Sequence, residues 1–263
     1  MEPTPTAVQP QPTKQPISNY YPEIVIERNI KPNRLYAFPL FGFLFKIIIL
    51  IPVFVELMFL GLALFVIVML LNPFVVLVTG KYWKTAYDLA LGVMRLGSKV
   101  SFYFYGITDK YPGFDITTTP YTYNLAYPES SNRLFAIPIL GFIIRIVLLI
   151  PFSIVAQVIS YASGIATFFT FAPVLFKGYY PETTHEINID AVRLSQASNA
   201  YVYGISDKYP NFNISWNHKT MKIVLIVLGI IIFLANLATN FIPKPPANYP
   251  TITPPPAIES PQV

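Results

Sequence analysis

The chain has no cysteine, which excludes a disulfide framework and any thiolate metal centre. Only two histidines are present, His185 and His218. Charged residues make up 12% of the sequence, about half the share usual in a soluble domain. Hydrophobic residues reach 54%, more apolar surface than a water-soluble fold of 263 residues can hide. The first 19 residues are rich in Pro, Thr and Gln and lack an apolar core, so they do not read as a cleaved signal peptide. No Gly-rich phosphate loop, nucleophile elbow, Ser-His-Asp order or Cys/His ligand set is present. The expectation is a non-enzymatic chain with no cofactor and no metal. The net charge of +5 includes no basic cluster on a soluble domain, so no nucleic-acid partner is expected.

What is there is a doubled pattern. Asn33-Arg34-Leu35 matches Asn132-Arg133-Leu134, Pro39 matches Pro138, Gly42 matches Gly141, Lys46 matches Arg145, and Ile51-Pro52 matches Ile150-Pro151. Further along, Gly80 aligns with Gly178, Tyr82 with Tyr180, Asp88 with Glu186 and Arg95 with Arg193. Both segments close on nearly one decamer. Tyr105 to Phe114 and Tyr203 to Phe212 differ only at Thr108/Ser206 and Gly113/Asn211. Matches at a nearly fixed offset imply an internal duplication.

A repeated N-R-L, a Pro-punctuated apolar stretch, G-x-Y, and a closing T/S-D-x-Y-P-x-F resemble the domain-of-unknown-function family 4389. The resemblance covers roughly 33–114 and 132–212, as two copies. It implies a prokaryotic multi-pass membrane protein and transfers no catalytic residue. The second copy departs from the first where Lys84 becomes Glu182 and where its third stretch turns more polar.

Each unit reads as three helical stretches. The first two run from about Arg34 to Ile51 and from about Val53 to Val78, and again from about Arg133 to Ile150 and from about Phe152 to Phe176. Proline lacks an amide donor and disfavours helix just before it, so Ile51-Pro52 and Ile150-Pro151 are expected to be tips of transmembrane hairpins. The third stretches, about Tyr82 to Ile107 and about Glu182 to Ile205, carry charges. In the second of them, Ile187, Ala191, Leu194, Ser198, Tyr201 and Ile205 share one face, while Glu186, Asp190, Arg193 and Gln196 share another. That pattern predicts amphipathic helices on the membrane surface. Met221 to Phe241 is a long apolar run and reads as a further span. Ile24 to Glu27, Tyr121 to Leu125 and Phe212 to Trp216 read as short surface strands.

The expected fold is therefore an all-α membrane protein of two tandem parallel repeats. Each repeat is a transmembrane hairpin plus an interfacial helix, with short surface strands and one extra C-terminal span. The expected divisions are a Pro/Gln-rich tail (1–19), unit one (20–114), an interfacial linker (115–131), unit two (132–212), a C-terminal transmembrane helix (213–242) and a Pro-rich tail (243–263). In this five-span layout all of the 18 Lys and Arg except Lys46, Arg145 and Lys244 fall on one face. The positive-inside rule makes that face cytoplasmic, with the N-terminus inside and the C-terminal tail outside a plasma membrane. All of the 18 tyrosines except Tyr161 and Tyr249 gather near the same interface. If the third stretches cross instead, the chain has seven spans and inverted units.

Candidate sites follow. Lys46 and Arg145 are matched cations in apolar stretches. With Glu56 and Gln157 they form either an intramembrane polar site or, for the cations, side chains snorkelling to headgroups. Asp88 with Arg95 and Glu186 with Arg193 recur seven residues apart, about 10 Å along a helix axis. They are candidates for inter-unit salt bridges, Asp88 to Arg193 and Glu186 to Arg95. Glu182-Thr183-Thr184-His185 has a di-metal spacing, but its counterpart Lys84-Thr85-Ala86-Tyr87 cannot bind metal. Asp109-Lys110-Tyr111-Pro112 and Asp207-Lys208-Tyr209-Pro210 read as turns ending the third stretches, with Lys110 and Lys208 within reach of lipid headgroups. The leading functional reading is a scaffold or accessory subunit with a charged, aromatic cytoplasmic platform. Its partners would be the bilayer and another membrane protein or a second copy of itself. The alternative is a small transporter or channel with its path between the units.

Overall fold

A computed structural model describes residues 21–38, 41–212, 214 and 217–241. The tails expected at 1–19 and 243–263, and most of the strand expected at 212–216, lie outside the described residues.

The chain is mostly helical. β1 (Glu23–Val25) leads into a 3-10 turn, Arg34–Ala37, whose preceding Asn33 caps it by accepting from Leu35 N at 3.0 Å. α1 (Phe41–Leu64) continues through a π-helical stretch, Phe65–Leu71, into α2 (Asn72–Thr79). Gly80, left-handed at φ 70°, ends this run, because only glycine takes that conformation without a Cβ penalty. α3 (Lys84–Phe104) follows, then β2 (Thr122–Asn124). A second 3-10 turn, Arg133–Ala136, is capped by Asn132 in the same way as the first. α4 (Leu140–Phe169), a π-helical turn at Pro173–Lys177, α5 (Glu182–Val202) and α6 (Lys219–Phe241) complete the fold.

The hairpin tips are not formed. Pro52 lies inside α1 and Pro151 inside α4. Both prolines are exposed, so each ring finds room outside the helix and only one backbone bond is forfeited. Ile51 and Ile150 before the prolines face outward, while Val53 and Phe152 after them pack inward, so the helix carries through. Among the described residues, three helical runs are long and apolar enough to cross a membrane, against the five spans expected. They are Phe41–Thr79, Leu140–Phe169 and Lys219–Thr239.

Nor do the third stretches lie on the outside. α3 runs antiparallel beside α1, with Trp83 N bonded to the Asn72 side chain at 2.9 Å near one end and Lys46 reaching Phe104 O at 3.4 Å at the other. Leu96, Val100 and Tyr103 of α3 pack on Leu50 and Val53. α5 lies likewise against α4, from Arg145 on Tyr201 O to Thr170 on Thr184. The chain after α3 covers the far side of that helix. Arg95 donates to Thr117 O at 2.8 Å and Lys99 to Asp115 O at 2.5 Å, so both charges end on backbone carbonyls. This is how charged helices become buried ones.

The expected strands Ile24 to Glu27 and Tyr121 to Leu125 pair with each other. β1 and β2 are antiparallel with Ile24 opposite Tyr123, both buried. Arg193 of α5 ties this ribbon down by donating to Ile24 O at 2.6 Å.

Candidate functional site

The most specific geometry lies where the two segments meet. Tyr82, just ahead of α3, donates to the Tyr203 carbonyl at the end of α5 at 2.7 Å. Tyr180, just ahead of α5, donates to the Tyr105 carbonyl at the end of α3 at 2.8 Å. Burial pushes both phenols well above the usual tyrosine range, so both stay protonated donors. The left-handed Gly80 leaves space against the Arg133 guanidinium, and the left-handed Gly178 against that of Arg34. Each helix start therefore meets the other helix's end, and α3 and α5 run antiparallel. The charge count that favoured parallel units rested on hairpins that do not form.

Arg145 and Lys46 sit at equivalent places and are completed differently. The buried Arg145 donates to Tyr201 O at 2.9 Å and Ser206 O at 3.0 Å, and pairs directly with Asp207. Its guanidinium also stacks on Phe135 and Tyr201. A cation is favourable at the carbonyls of a helix C-terminus. Asp207 in turn accepts from Asn132 N. Lys46, equally buried, has Phe104 O and the faces of Tyr36 and Tyr103, at 5.8 and 5.7 Å. It forms no ion pair among the described residues. Asp109 accepts from Asn29 and from Asn33 N, both at 2.8 Å. A cavity of about 390 Å³ opens beside Lys46, walled by Phe43, Phe104, Phe168 and Phe171. The matching space beside Arg145 is about 40 Å³.

The other expected site residues are scattered. Neither cation snorkels, since both point at helix ends. Glu56 stands ten residues from Lys46 on one continuous helix, about 15 Å along the axis, so the pairing that a hairpin would allow is lost. Lys99, not Lys46, acts on its carboxylate. Gln157 is exposed on α4. The proposed inter-unit bridges are not formed. Asp88 pairs with Lys84 at 2.8 Å, Arg95 holds Thr117 O, Glu186 pairs with Lys222 at 2.8 Å, and Arg193 approaches Asp190 at 3.7 Å. Each of the four meets a nearer partner instead. In the closing turns, Pro112 and Pro210 are buried while Lys110 and Lys208 are exposed. Tyr111 lies edge-on to Tyr103, and Tyr209 to Phe152 and Tyr201.

A buried charge cluster went unread in the sequence. Lys222, at the start of α6, is 1% exposed and also lies 3.6 Å from the buried Asp190. Burial opposes ionisation of Glu186, but its bonds to Lys222 and Asn217 prevail and hold its carboxyl below the usual range. The signal was Glu186 and Asp190, four residues apart, together with a lysine one turn into an apolar helix. Glu182, Glu186 and His218 bring one ligand atom each within 4.8 Å. The Lys222 ammonium already occupies that neighbourhood and would repel a metal ion. His185 turns away toward Tyr180, so Glu182 and His185 make no ligand pair. Burial lowers the His185 pKa, which keeps the ring neutral near pH 7.

Residues 140–213 match the family model described as a domain of unknown function (DUF4389). The match begins with α4 and runs through α5 and the second closing turn. No curated protein and no solved structure matches the chain.

Proposed function

We propose that this chain is a non-enzymatic membrane scaffold built from two tandem copies of one unit, locked head to tail. Its apolar helices α1, α4 and α6 sit in lipid. Its α3, α5 and covering ribbon form a charged, aromatic platform on the cytoplasmic face of the plasma membrane. The platform engages another membrane protein or a second copy of the chain.

The observation that carries this reading is how the polar side chains are used. Tyr82, Tyr180, Arg145, Asn188 and Lys222 all hold helix to helix. Large exposed apolar side chains, such as Phe54, Met58, Phe59, Leu62, Ile231 and Leu234, gather on α1 and α6. Exposed charges such as Glu23, Asp88, Asp115 and Glu129 lie instead on β1, on α3 and in the chain between α3 and α4. That segregation matches a body with one side in lipid. The paired Asn caps, the paired left-handed glycines and the exchanged tyrosine bonds support the duplication.

Since cysteine is absent, single-cysteine variants test the layout with an impermeant thiol reagent in intact cells. Thr6→Cys and Thr119→Cys should be protected until the cells are opened. Labelling of Thr119→Cys in intact cells would sink the cytoplasmic platform.

A transporter or channel is the second reading. It is favoured by the antiparallel relation of the two segments and by the cavity beside Lys46. Reconstituted flux that survives neutralising Lys46, Glu56 and Arg145 would remove its basis.

A further inference from the structure

The two aspartates that close the units are used alike up to one oxygen. Asp109 and Asp207 each give one oxygen to a backbone amide, that of Asn33 or of Asn132. The remaining oxygen of Asp207 takes Arg145. The corresponding Oδ1 of Asp109 has no hydrogen-bond partner among the described residues. Lys46 is 7% exposed and lacks the carboxylate that Arg145 has. Lysine is a compact point charge without arginine's reach and fork, so the pair stays open. A buried charge without a direct ion pair is costly. Both open groups line one cavity of about 390 Å³, within the range of small-molecule sites. Phe43 and Phe168 on its rim are 50% and 61% exposed.

We propose that this cavity binds one phospholipid with a phosphoethanolamine headgroup. The phosphate sits on Lys46, the ammonium on Asp109 Oδ1, and an acyl chain lies between Phe43 and Phe168. The headgroup carries one charge of each sign because the site does. An anionic glycerol headgroup would satisfy Lys46 and leave its phosphate facing Asp109. A choline headgroup offers no N–H to Asp109. The inference rests on the membrane reading above, and goes beyond it.

The test is native mass spectrometry of the full chain in mild detergent, equilibrated with equal amounts of phosphatidylethanolamine, phosphatidylcholine and phosphatidylglycerol. One phosphatidylethanolamine per chain should be retained, at about tenfold or more over the others. Gly164 lines the cavity, and a Cβ there meets nothing within 4 Å, so Gly164→Leu places its added bulk in the cavity. It should lower retention about tenfold or more. Lys46→Arg keeps the charge but reaches Asp109 as Arg145 reaches Asp207, and should lower retention similarly. Melting followed by circular dichroism checks that both variants fold.

Equal retention of the three lipids, no retained lipid, or unchanged retention in either variant overturns the proposal. Displacement by millimolar phosphoethanolamine overturns the lipid assignment in favour of a soluble phosphate ester. Recovery of the chain in the aqueous fraction without detergent overturns the membrane reading, and this site with it.

Discussion

Arg145 and Lys46 show how one matched position can carry different energetic weight. Removing the guanidinium by Arg145→Met takes the partner from Asp207 Oδ1 and from the Ser206 carbonyl. Breaking a buried pair of this kind costs about 3–5 kcal/mol. Lys46→Met removes a cation with no ion pair and should cost markedly less. Unfolding midpoints of the two variants in one detergent check this, and equal losses would count against the asymmetry. Glu186 makes a second prediction. Its folded pKa is depressed, so its contribution is present above the usual carboxylate range, about 4.3, and is lost as pH falls through the folded value. Hydrogen exchange in the first turns of α6 should accelerate in that acid window. Lys222→Met should abolish that step, and its persistence would rule Glu186 out as the source.

Among elements, the prolines were the misleading signal. Read from sequence, Pro52 is a chain reversal. Within the fold it is a missing hydrogen bond on an outward face. Pro52→Ala should therefore preserve the fold and leave helical content unchanged or higher, since alanine restores the amide donor. A hairpin tip would respond by losing stability, and circular dichroism with thermal melting separates the two outcomes. The charges of α3 misled in the same way. Arg95 and Lys99 suggested a wetted helix face, yet both end on carbonyls of the segment that covers α3. Periodicity reports which residues are polar, whereas the partner that neutralises them arrives from elsewhere in the chain. The closing aspartates were legible as turn residues, but their role in gripping Asn33 and Asn132 was not, because those contacts close loops of more than seventy residues.

For the whole molecule, the buried tyrosines set an upper pH limit. Tyr82, Tyr123 and Tyr180 have phenol pKa values raised by burial. Folded values above the unfolded one, about 10, mean that stability is complete below that pH and falls as pH rises beyond it. Alkaline unfolding should begin near pH 10, accompanied by the phenolate absorbance change. Tyr82→Phe with Tyr180→Phe should shift the onset upward while lowering stability at pH 7 by about 1 kcal/mol per lost bond. Phenolate absorbance appearing without unfolding would overturn this.

The sequence by itself determined the apolar character, the doubled pattern, the strand-like character of β1 and β2, and the last apolar helix, α6. These rest on composition, repetition and local periodicity, which need no knowledge of distant partners. Only the tertiary structure decided that α1 runs through Pro52, that α3 and α5 are antiparallel and covered, and that Lys46 keeps an open cavity while Arg145 closes its own. Each of these depends on which groups meet across long stretches of chain. A buried charge takes its partner from three-dimensional proximity, not from spacing along the sequence.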